Sequence, residues 1–332
     1  MGIVNQVRRR RFLIGASVLA SPLWLLAQGV RAPRIGYLLF VPLTDPPSRE
    51  RQAFLDGMRE LGHVPGKTVE IVYGSGEGEP DFIDDACLDL LRQKVDLIVA
   101  SGPSAALAAK KATSSVPIVM QAVGDPIGIG LVRSLARPEA NVTGVSFISG
   151  ELAGKRVQLI RDLVPTARRI AVLWDARNAN ARAEAGVALE AVLRLGLKPQ
   201  QVALSSDKDV PRALSRFQAD KPDALYVTFE EGVVVNNRSA IAEFGVRHRV
   251  PVMSGWSSLT EAGGLISYAP DIAAIFRRSA YYVHRLLNGT KAADLPVELA
   301  STVEFAINLR TAKALGITIP GSILLWADRV IE

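Results

Sequence analysis

Ser101-Gly-Pro-Ser-Ala105 is the segment of this sequence whose residue types are best suited to binding an anion. It follows an apolar run and precedes a helical pattern, so its backbone lies where a strand gives way to a helix. The first N–H groups of a helix have no partner inside the helix, and with Ser104 as the predicted N-cap they can receive a carboxylate. A helix cap without any ligand satisfies the same residues, and the spacing alone leaves both interpretations open.

Other polar or aromatic residues also follow apolar runs. Asp125 stands directly before Pro126, where its carboxylate could pair with a ligand ammonium or bond its own backbone in a turn. Trp256 lies beside a glycine and two serines, which favours stacking on a ligand. The candidate site residues are Ser101, Gly102, Ser104, Ala105, Asp125, Thr228, Glu230, Gly255, Trp256 and Tyr268.

Other chemistries find no support in the sequence. Gly128-x-Gly130 resembles half of a dinucleotide-binding fingerprint, but Arg133 replaces the third glycine and the loop follows the fourth predicted strand instead of the first. We interpret these glycines as part of a turn into a short helix over 131–137. The three histidines have no metal-like spacing, and no G-x-S-x-G nucleophile motif occurs. The sequence therefore predicts neither an enzyme nor a bound metal or cofactor.

The composition is that of a globular protein: 48% of the 332 residues are hydrophobic and 22% are charged. Five arginines and no acid lie in residues 1–32, so a net charge of +6 for the whole chain leaves +1 for residues 33–332. This distribution argues against nucleic-acid binding. The single cysteine, Cys87, lies in an apolar helical pattern and is predicted to be a core residue.

Residues 1–32 are predicted to be an export signal. Four consecutive arginines precede an apolar stretch over 12–27 that contains Pro22 and is short for a membrane span, which needs about 20 residues. Arg9-Arg10-x-Phe12-Leu13 resembles a twin-arginine motif, although a general secretory signal has the same basic start. Cleavage could follow Ala27 or Ala32. We therefore expect a periplasmic protein.

The remaining sequence alternates between short apolar runs and amphipathic stretches, which is typical of a parallel sheet covered by helices. The predicted strands are 34–41, 68–74, 96–102, 116–123, 168–175, 198–204, 223–229, 250–255 and 264–270. The predicted helices are 48–64, 81–95, 104–114, 180–196, 209–220, 235–249 and 271–289. Three short motifs recur at an offset of 134 residues, for example Val116-Pro-Ile and Val250-Pro-Val, which indicates two similar α/β lobes in tandem.

The long tail after the second half must pack against completed lobes, so the chain should cross between them several times. We predict two Rossmann-like lobes with parallel sheets joined by a multi-strand hinge. The N-terminal lobe comprises residues 33–148 plus about 271–300, and the C-terminal lobe comprises 149–270 plus about 301–332.

Several long segments, taken in order, resemble one family. They are the 101–105 motif, "VPIVMQAVGDPIGIGLVRSLARPEANVTGVS" (116–146), "EAGGLISYAPD" (261–271) and "DLPVELASTVEFAINLRTAKALGITIP" (294–320). The chain resembles the ABC transporter substrate-binding family that includes tryptophan and tyrosine binders. The resemblance implies a type I periplasmic-binding fold that closes on a small molecule and delivers it to a permease in the inner membrane.

The resemblance also implies roles for individual residues. Ser101, Gly102, Ser104 and Ala105 would hold a ligand carboxylate, and Asp125 would contribute to the ammonium end. The strand ends of the second lobe would close over the ligand through two pairs, Thr228 with Glu230 and Gly255 with Trp256. These loops read "TFEE" and "GWSS", where aromatic-amino-acid binders tend to have Asp- and Asn-rich loops. We expect a monomer that binds an amino acid or a small carboxylate; a ligand sensor acting on a membrane partner is the alternative.

Overall fold

The computed structural model describes residues 31–138, 140–147, 150–228 and 231–332. The compact unit treated below is Pro33–Glu332. The predicted export signal lies outside the described residues, apart from its last two positions. No helix in the described ranges combines the length and the apolar character needed to cross a bilayer.

Thirteen strands occur in the described ranges. They are β1 (Arg34–Leu39), β2 (Glu70–Ser75), β3 (Leu97–Ser101), β4 (Ile118–Val123), β5 (Val142–Phe147), β6 (Arg169–Asp175), β7 (Lys198–Leu204), β8 (Ala224–Val227), β9 (Val252–Ser254), β10 (Ile266–Pro270), β11 (Glu298–Ala300), β12 (Val303–Asn308) and β13 (Arg329–Ile331).

Twelve α-helices connect these strands in the same described ranges. They are α1 (Arg49–Glu60), α2 (Pro80–Arg92), α3 (Pro103–Ala112), α4 (Gly150–Leu163), α5 (Ala179–Arg194), α6 (Asp209–Ala219), α7 (Val233–Asn236), α8 (Arg238–His248), α9 (Ser257–Glu261), α10 (Ile272–Leu287), α11 (Leu309–Leu315) and α12 (Gly321–Leu324).

The strands form two sheets. The first sheet has the order β11-β5-β4-β3-β1-β2, and all of its neighbouring strands are parallel. The second has the order β13-β12-β10-β9-β8-β6-β7 and is parallel except where β10 meets β12. The predicted α/β class with two parallel sheets is confirmed.

Strand β1 illustrates why these runs are apolar throughout. Ile35 and Tyr37 pack on one face of the first sheet, where α1 and α10 cover it. Leu38 packs on the opposite face with residues of α2 and α3, among them the fully buried Cys87. Successive side chains of a strand point to opposite faces, so a sheet covered on both faces needs an unbroken apolar strand.

The chain passes from one sheet to the other after β5, after β10 and after β11. Helix α10 follows a strand of the second sheet yet packs against α1 and β4 of the first. Strand β11 then pairs with β5 before β12 returns to the second sheet. This is the multi-strand connection that the long tail predicts.

Strand β5 and helix α4 have no counterpart among the predicted elements. Thr143, Gly144 and Ser146 interrupt the apolar signal of β5, although the whole strand is buried. The two hydroxyls donate to the carbonyls of Leu295 and Val123 at 2.7 and 2.8 Å, so burying them leaves no unpaired donor. Gly144 has a φ of +134°, and a Cβ there would lie 2.2 Å from the carbonyl oxygen of Met120.

The predicted short helix over 131–137 is wrong: this stretch consists of bends and irregular backbone. The side chain of Lys110 donates to the carbonyl oxygens of Gly130 and Leu131 at 2.6 and 2.9 Å. These carbonyls are therefore used by a lysine of α3 and not by a following helical turn.

The predicted helix over 235–249 is divided into α7 and α8 at Asn237. The Asn237 side-chain amide donates to the carbonyl of Val233 at 2.8 Å and to the carboxylate of Asp207 at 3.0 Å. Such local side-chain bonds compete with helical ones, which explains the break.

Candidate ligand-binding site

A cavity of about 530 Å³ lies between residues of the two sheets. Its first-sheet wall comes from the carboxyl ends of β1, β3 and β4 and from the start of α1. Its second-sheet wall comes from segments that follow β8 and β9. The residues used below are Ser101, Gly102, Arg49, Glu50, Arg51, Glu231, Arg238, Trp256, Glu261 and Phe276. Ligands of open α/β sheets bind at such strand ends.

The start of α3 forms one end of this cavity. Gly102 is the N-cap of the helix, with a φ of +87°, and Pro103 occupies the first helical position. The prediction that Ser104 is the N-cap is therefore wrong. Proline is favoured at the first helical position because it has no N–H to lose, and this places the cap on Gly102. Ser104 lies one residue further on and does not line this cavity, but its hydroxyl is available for a partner from the second sheet.

That partner is Glu231, which follows β8 of the second sheet. Its carboxyl oxygens accept from the Ser104 hydroxyl at 3.0 Å, from the Ser104 backbone N–H at 3.4 Å and from the Asn178 amide at 2.6 Å. Glu231 is only 5% exposed. A carboxyl group of the second sheet thus lies at the helix start that the sequence singles out as a carboxylate site.

Gly102 makes this approach possible. A Cβ at this position would lie 2.6 Å from Oε1 of Glu231, well inside van der Waals contact. Its positive φ is also a conformation that residues with a side chain rarely adopt. Both the close approach of Glu231 and the positive φ therefore favour glycine at position 102.

The environment of Glu231 disfavours its charged form. Its pKa is raised to about 8, mainly by burial and also by the negative charge of nearby Asp175. The hydrogen bonds from Ser104 act in the opposite direction and lower the pKa. The carboxyl group is therefore largely protonated at neutral pH. Glu231 also forms part of the wall of a second cavity of about 260 Å³, which Ser104 and Asn178 share.

The "TFEE" loop is predicted to lie at the cleft, with Glu230 as the contacting residue. Glu230 lies outside the described residues, and its role stays a prediction. Thr228 is fully buried and does not line the 530 Å³ cavity. Its backbone N–H donates to Leu173, and its hydroxyl has no hydrogen-bond partner among the described residues. The sequence shows two adjacent acids at this strand end, and no pattern in it selects Glu231.

Trp256 lines the cavity, as its place after β9 predicts. Its backbone N–H donates to the Ser254 hydroxyl at 3.0 Å, and its ring packs partly buried against the apolar cluster of the first sheet that includes Phe276. A second-sheet residue thus reaches the first sheet across the cavity.

Gly255 and Tyr268 do not line the cavity but contact a buried charge network behind it. Arg156 and Glu184 form an ion pair with an N–O distance of 2.8 Å, and each side chain is only 1% exposed. The Tyr226 hydroxyl donates to Glu184 at 2.6 Å, and Arg156 Nε donates to the carbonyl of Tyr268 at 2.6 Å. A Cβ on Gly255 would lie 3.1 Å from Glu184 Oε1, so this network supports the backbone that carries Trp256.

Asp125 lies apart from the other candidates. It lines a different cavity, of about 550 Å³, together with Gly150 and Leu299 near the points where the chain passes between the sheets. Its carboxylate accepts from the N–H of Gly128 at 2.8 Å, which is the turn geometry that the sequence leaves open as the alternative. Ala105 is fully buried in the core beside α3. The ligand roles of both residues stay predictions.

Arg51 is a cavity residue that the sequence analysis did not single out. It lies in α1 and is 5% exposed. Its Nη2 donates to the carbonyl of Thr44, and its guanidinium carbon lies 5.6 Å from the centre of the Tyr73 ring. Its Nε has no hydrogen-bond partner in the described ranges. The helical pattern of α1 shows three arginines and gives no sign of which one is buried beside the cavity.

A metal centre is not indicated in the part of the chain that the structure describes, where no three His, Cys, Asp or Glu side chains are grouped to hold an ion. The arrangement offers instead a helix start, a buried guanidinium and an aromatic ring around a cavity. These groups suit the binding of a small organic anion.

Known proteins resemble this chain in both sequence and fold. The tyrosine-binding protein of Clostridioides difficile (strain R20291) is 25% identical over 276 residues, which cover 82% of this chain and 79% of the relative. The ABC domain from Streptococcus pneumonia, solved in complex with L-Trp, is 29% identical with a TM-score of 0.82, covering 90% of this chain and 99% of that one.

A periplasmic binding protein from Burkholderia mallei is only 15% identical but has the same fold, with a TM-score of 0.55 over 80% of each chain. The type I periplasmic-binding fold predicted from the sequence is therefore confirmed. The profile of the family described as "ABC transporter substrate binding protein" matches residues 41–331. The chain therefore belongs to the ABC transporter substrate-binding protein family, which is a family of solute-binding proteins and not of enzymes.

Proposed function

We propose that this protein is the exported solute-binding component of an ABC importer, and that it binds an amino acid or a small carboxylate in the 530 Å³ cavity. The tyrosine-binding relative and the L-Trp complex support this class of ligand. A permease in the inner membrane would receive the ligand, and residues 1–32 would direct export to the periplasm.

The observation that carries the proposal is the position of Glu231. Its carboxyl group already accepts hydrogen bonds from the N–H and hydroxyl of Ser104, so a carboxyl group fits the start of α3. An ionised ligand carboxylate would make stronger bonds there than the largely protonated Glu231, because charge strengthens such bonds and the helix start favours negative charge. We infer that the ligand displaces Glu231 from Ser104.

Displacement should be assisted by the environment of Glu231 itself. When its side chain leaves the buried position and reaches water, it can ionise with an ordinary pKa, which recovers the free energy that burial costs it at neutral pH. The movement would also connect the 530 Å³ and 260 Å³ cavities whose walls it shares.

We propose that the two lobes move as bodies about the three connections between the sheets. The lobes would be residues 33–148 with about 271–300 and residues 149–270 with about 301–332. A ligand that contacts both walls binds the closed form better than the open form, and it shifts the population by that difference in affinity.

Replacing Ser104 by Ala tests the carboxylate position. Loss of a hydrogen bond to a charged group costs about 1.5–3 kcal/mol, so the ligand should bind roughly tenfold to a hundredfold more weakly. Calorimetric titration with L-tryptophan, L-tyrosine and benzoate measures the effect, and Ser322→Ala on α12, where the serine is exposed, is the control. The proposal fails if none of the three compounds binds the wild type, or if both serine variants bind as tightly as it does.

Replacing Trp256 by Ala tests the stacking prediction. Its ring lines the cavity, and aromatic pairs contribute about 0.5–1.5 kcal/mol beyond the area they bury. The variant should therefore weaken the binding of L-tryptophan and benzoate more than that of L-leucine, by roughly threefold to tenfold in the ratio of dissociation constants. An equal loss for aromatic and aliphatic ligands would rule out stacking.

A further inference from the structure

Arg51 differs from the buried Arg156 because it has no anionic partner among the described residues. Arg156 is paired with Glu184 at 2.8 Å. Arg51 is almost as deeply buried, yet no carboxylate of the described residues lies within ion-pair distance of it, and its Nε makes no hydrogen bond in those ranges. Its contacts are a carbonyl oxygen and the face of Tyr73. A buried guanidinium with neutral partners alone is costly unless an anion joins it.

The other charged groups of the cavity leave this positive charge uncompensated. Arg49 is paired with Glu304 at 2.7 Å, and Glu261 is paired with Arg329 at 2.5 Å. Glu231 is largely protonated at neutral pH because burial raises its pKa to about 8. Glu50 and Arg238 also line the cavity and have no ion pair in the described ranges. Arg51 and Arg238 together therefore outweigh the charge of Glu50, which leaves the cavity wall positive.

Arg51 lines the same cavity as Ser101 and Gly102, which lead into α3. It lies in the helix that follows β1, and Ser101 ends β3, which pairs with β1 in the first sheet. The centre of the Tyr37 ring of β1 lies 5.7 Å from that of Tyr73, over whose ring the Arg51 guanidinium lies. Ser104 itself lines the adjoining 260 Å³ cavity, and Glu231 lines both cavities, so displacement of Glu231 would join the two anion-binding positions.

We propose that Arg51 forms a second anion-binding subsite in the cavity and that the ligand carries two acidic groups, as a dicarboxylate or an acidic amino acid does. This inference rests on the proposed function: one carboxylate would bind at Ser104 and the other at Arg51. The planar guanidinium matches a carboxylate better than an ammonium group does, because it donates two parallel hydrogen bonds.

The test compares ligands that differ by one acidic group. The pairs are terephthalate with 4-methylbenzoate and L-glutamate with L-glutamine, titrated calorimetrically into the protein at pH 7. In at least one pair the doubly acidic member should bind at least tenfold more tightly. In Arg51→Met this advantage should fall to about onefold, and Arg51→Lys should restore part of it because lysine keeps the charge. Arg59→Met, on the exposed side of the same helix, should keep the full advantage.

The outcomes separate the two proposals. If 4-methylbenzoate or L-glutamine binds as tightly as its acidic counterpart, and Ser104→Ala weakens that binding, the subsite is refuted and the proposed function stands. A purely structural role of Arg51 would lower the affinities of both members of a pair equally and leave their ratio unchanged. If neither member of either pair binds, the subsite is refuted, and the titrations with L-tryptophan, L-tyrosine and benzoate decide the proposed function separately. Should Arg51→Met not fold, the wild-type ratios and Arg51→Lys still decide the question.

Discussion

Replacing Glu231 by Gln should remove much of the pH dependence of the stability of the ligand-free protein between about pH 5 and pH 8. Burial raises the pKa of Glu231 from 4.5 to about 8, so the folded state binds a proton that the unfolded state releases over this interval. The contribution of Glu231 to the free energy of unfolding is fully present below its pKa in the unfolded chain. It is lost as the pH rises through its pKa in the folded protein. Over the whole interval the loss is about 3–5 kcal/mol.

The measurement is urea unfolding of the wild type and of Glu231→Gln at several pH values. Glutamine keeps the shape and an acceptor oxygen for Ser104, and it does not ionise. The variant should gain stability relative to the wild type as the pH rises, and the two should be nearly equal near pH 4.5. Glu190→Gln, which changes an exposed carboxylate on α5, should follow the wild type at every pH. Parallel curves for the wild type and Glu231→Gln would show that Glu231 is ionised in the folded protein.

Replacing Glu184 by Gln should destabilise the protein by about 3–5 kcal/mol, because it leaves the charge of Arg156 buried without a counter-charge. Both side chains are 1% exposed, and the hydrogen bonds of Tyr226 and Tyr268 to this pair cannot supply a negative charge. Urea unfolding measures the loss. The double variant Arg156→Met with Glu184→Leu should lose much less, since replacing a whole buried pair by apolar groups is often neutral.

The same helix provides the comparison. Glu190 and Arg194 of α5 form an exposed pair at 3.9 Å, with side chains 74% and 70% exposed. Removing that charge should cost no more than about 1 kcal/mol, as exposed pairs contribute little. A loss from Glu184→Gln as small as that from Glu190→Gln would mean that the network behind Gly255 does not hold this part of the fold together.

The sequence predicts the two sheets well for a simple physical reason. Strands covered by helices on both faces must be apolar throughout, so runs such as 96–102 and 223–229 stand out, and the tandem halves repeat the signal. Strand β5 escapes prediction because its buried Thr143 and Ser146 are satisfied by carbonyls from distant segments. A polar residue interrupts the apolar run from which a buried strand is predicted, whether or not the fold provides a hydrogen-bond partner for that residue.

The candidate site is only partly predictable from the sequence. Ser101, Gly102 and Trp256 line the cavity because strand ends and helix starts can be read from local patterns. Glu231 and Arg51 could not be found in this way. The significance of Glu231 comes from a contact with Ser104, 127 residues away, and that of Arg51 from burial beside Tyr73. For Asp125, the position at a strand end predicts a ligand contact, but its carboxylate accepts a hydrogen bond from the Gly128 N–H within its own turn.

A crystal structure of the protein with a bound carboxylate ligand tests the central claim most directly. We expect a ligand carboxylate within hydrogen-bond distance of the Ser104 N–H and hydroxyl, the Trp256 ring against the ligand, and Glu231 moved away from α3. A ligand bound elsewhere, with Glu231 still accepting from Ser104, would contradict it.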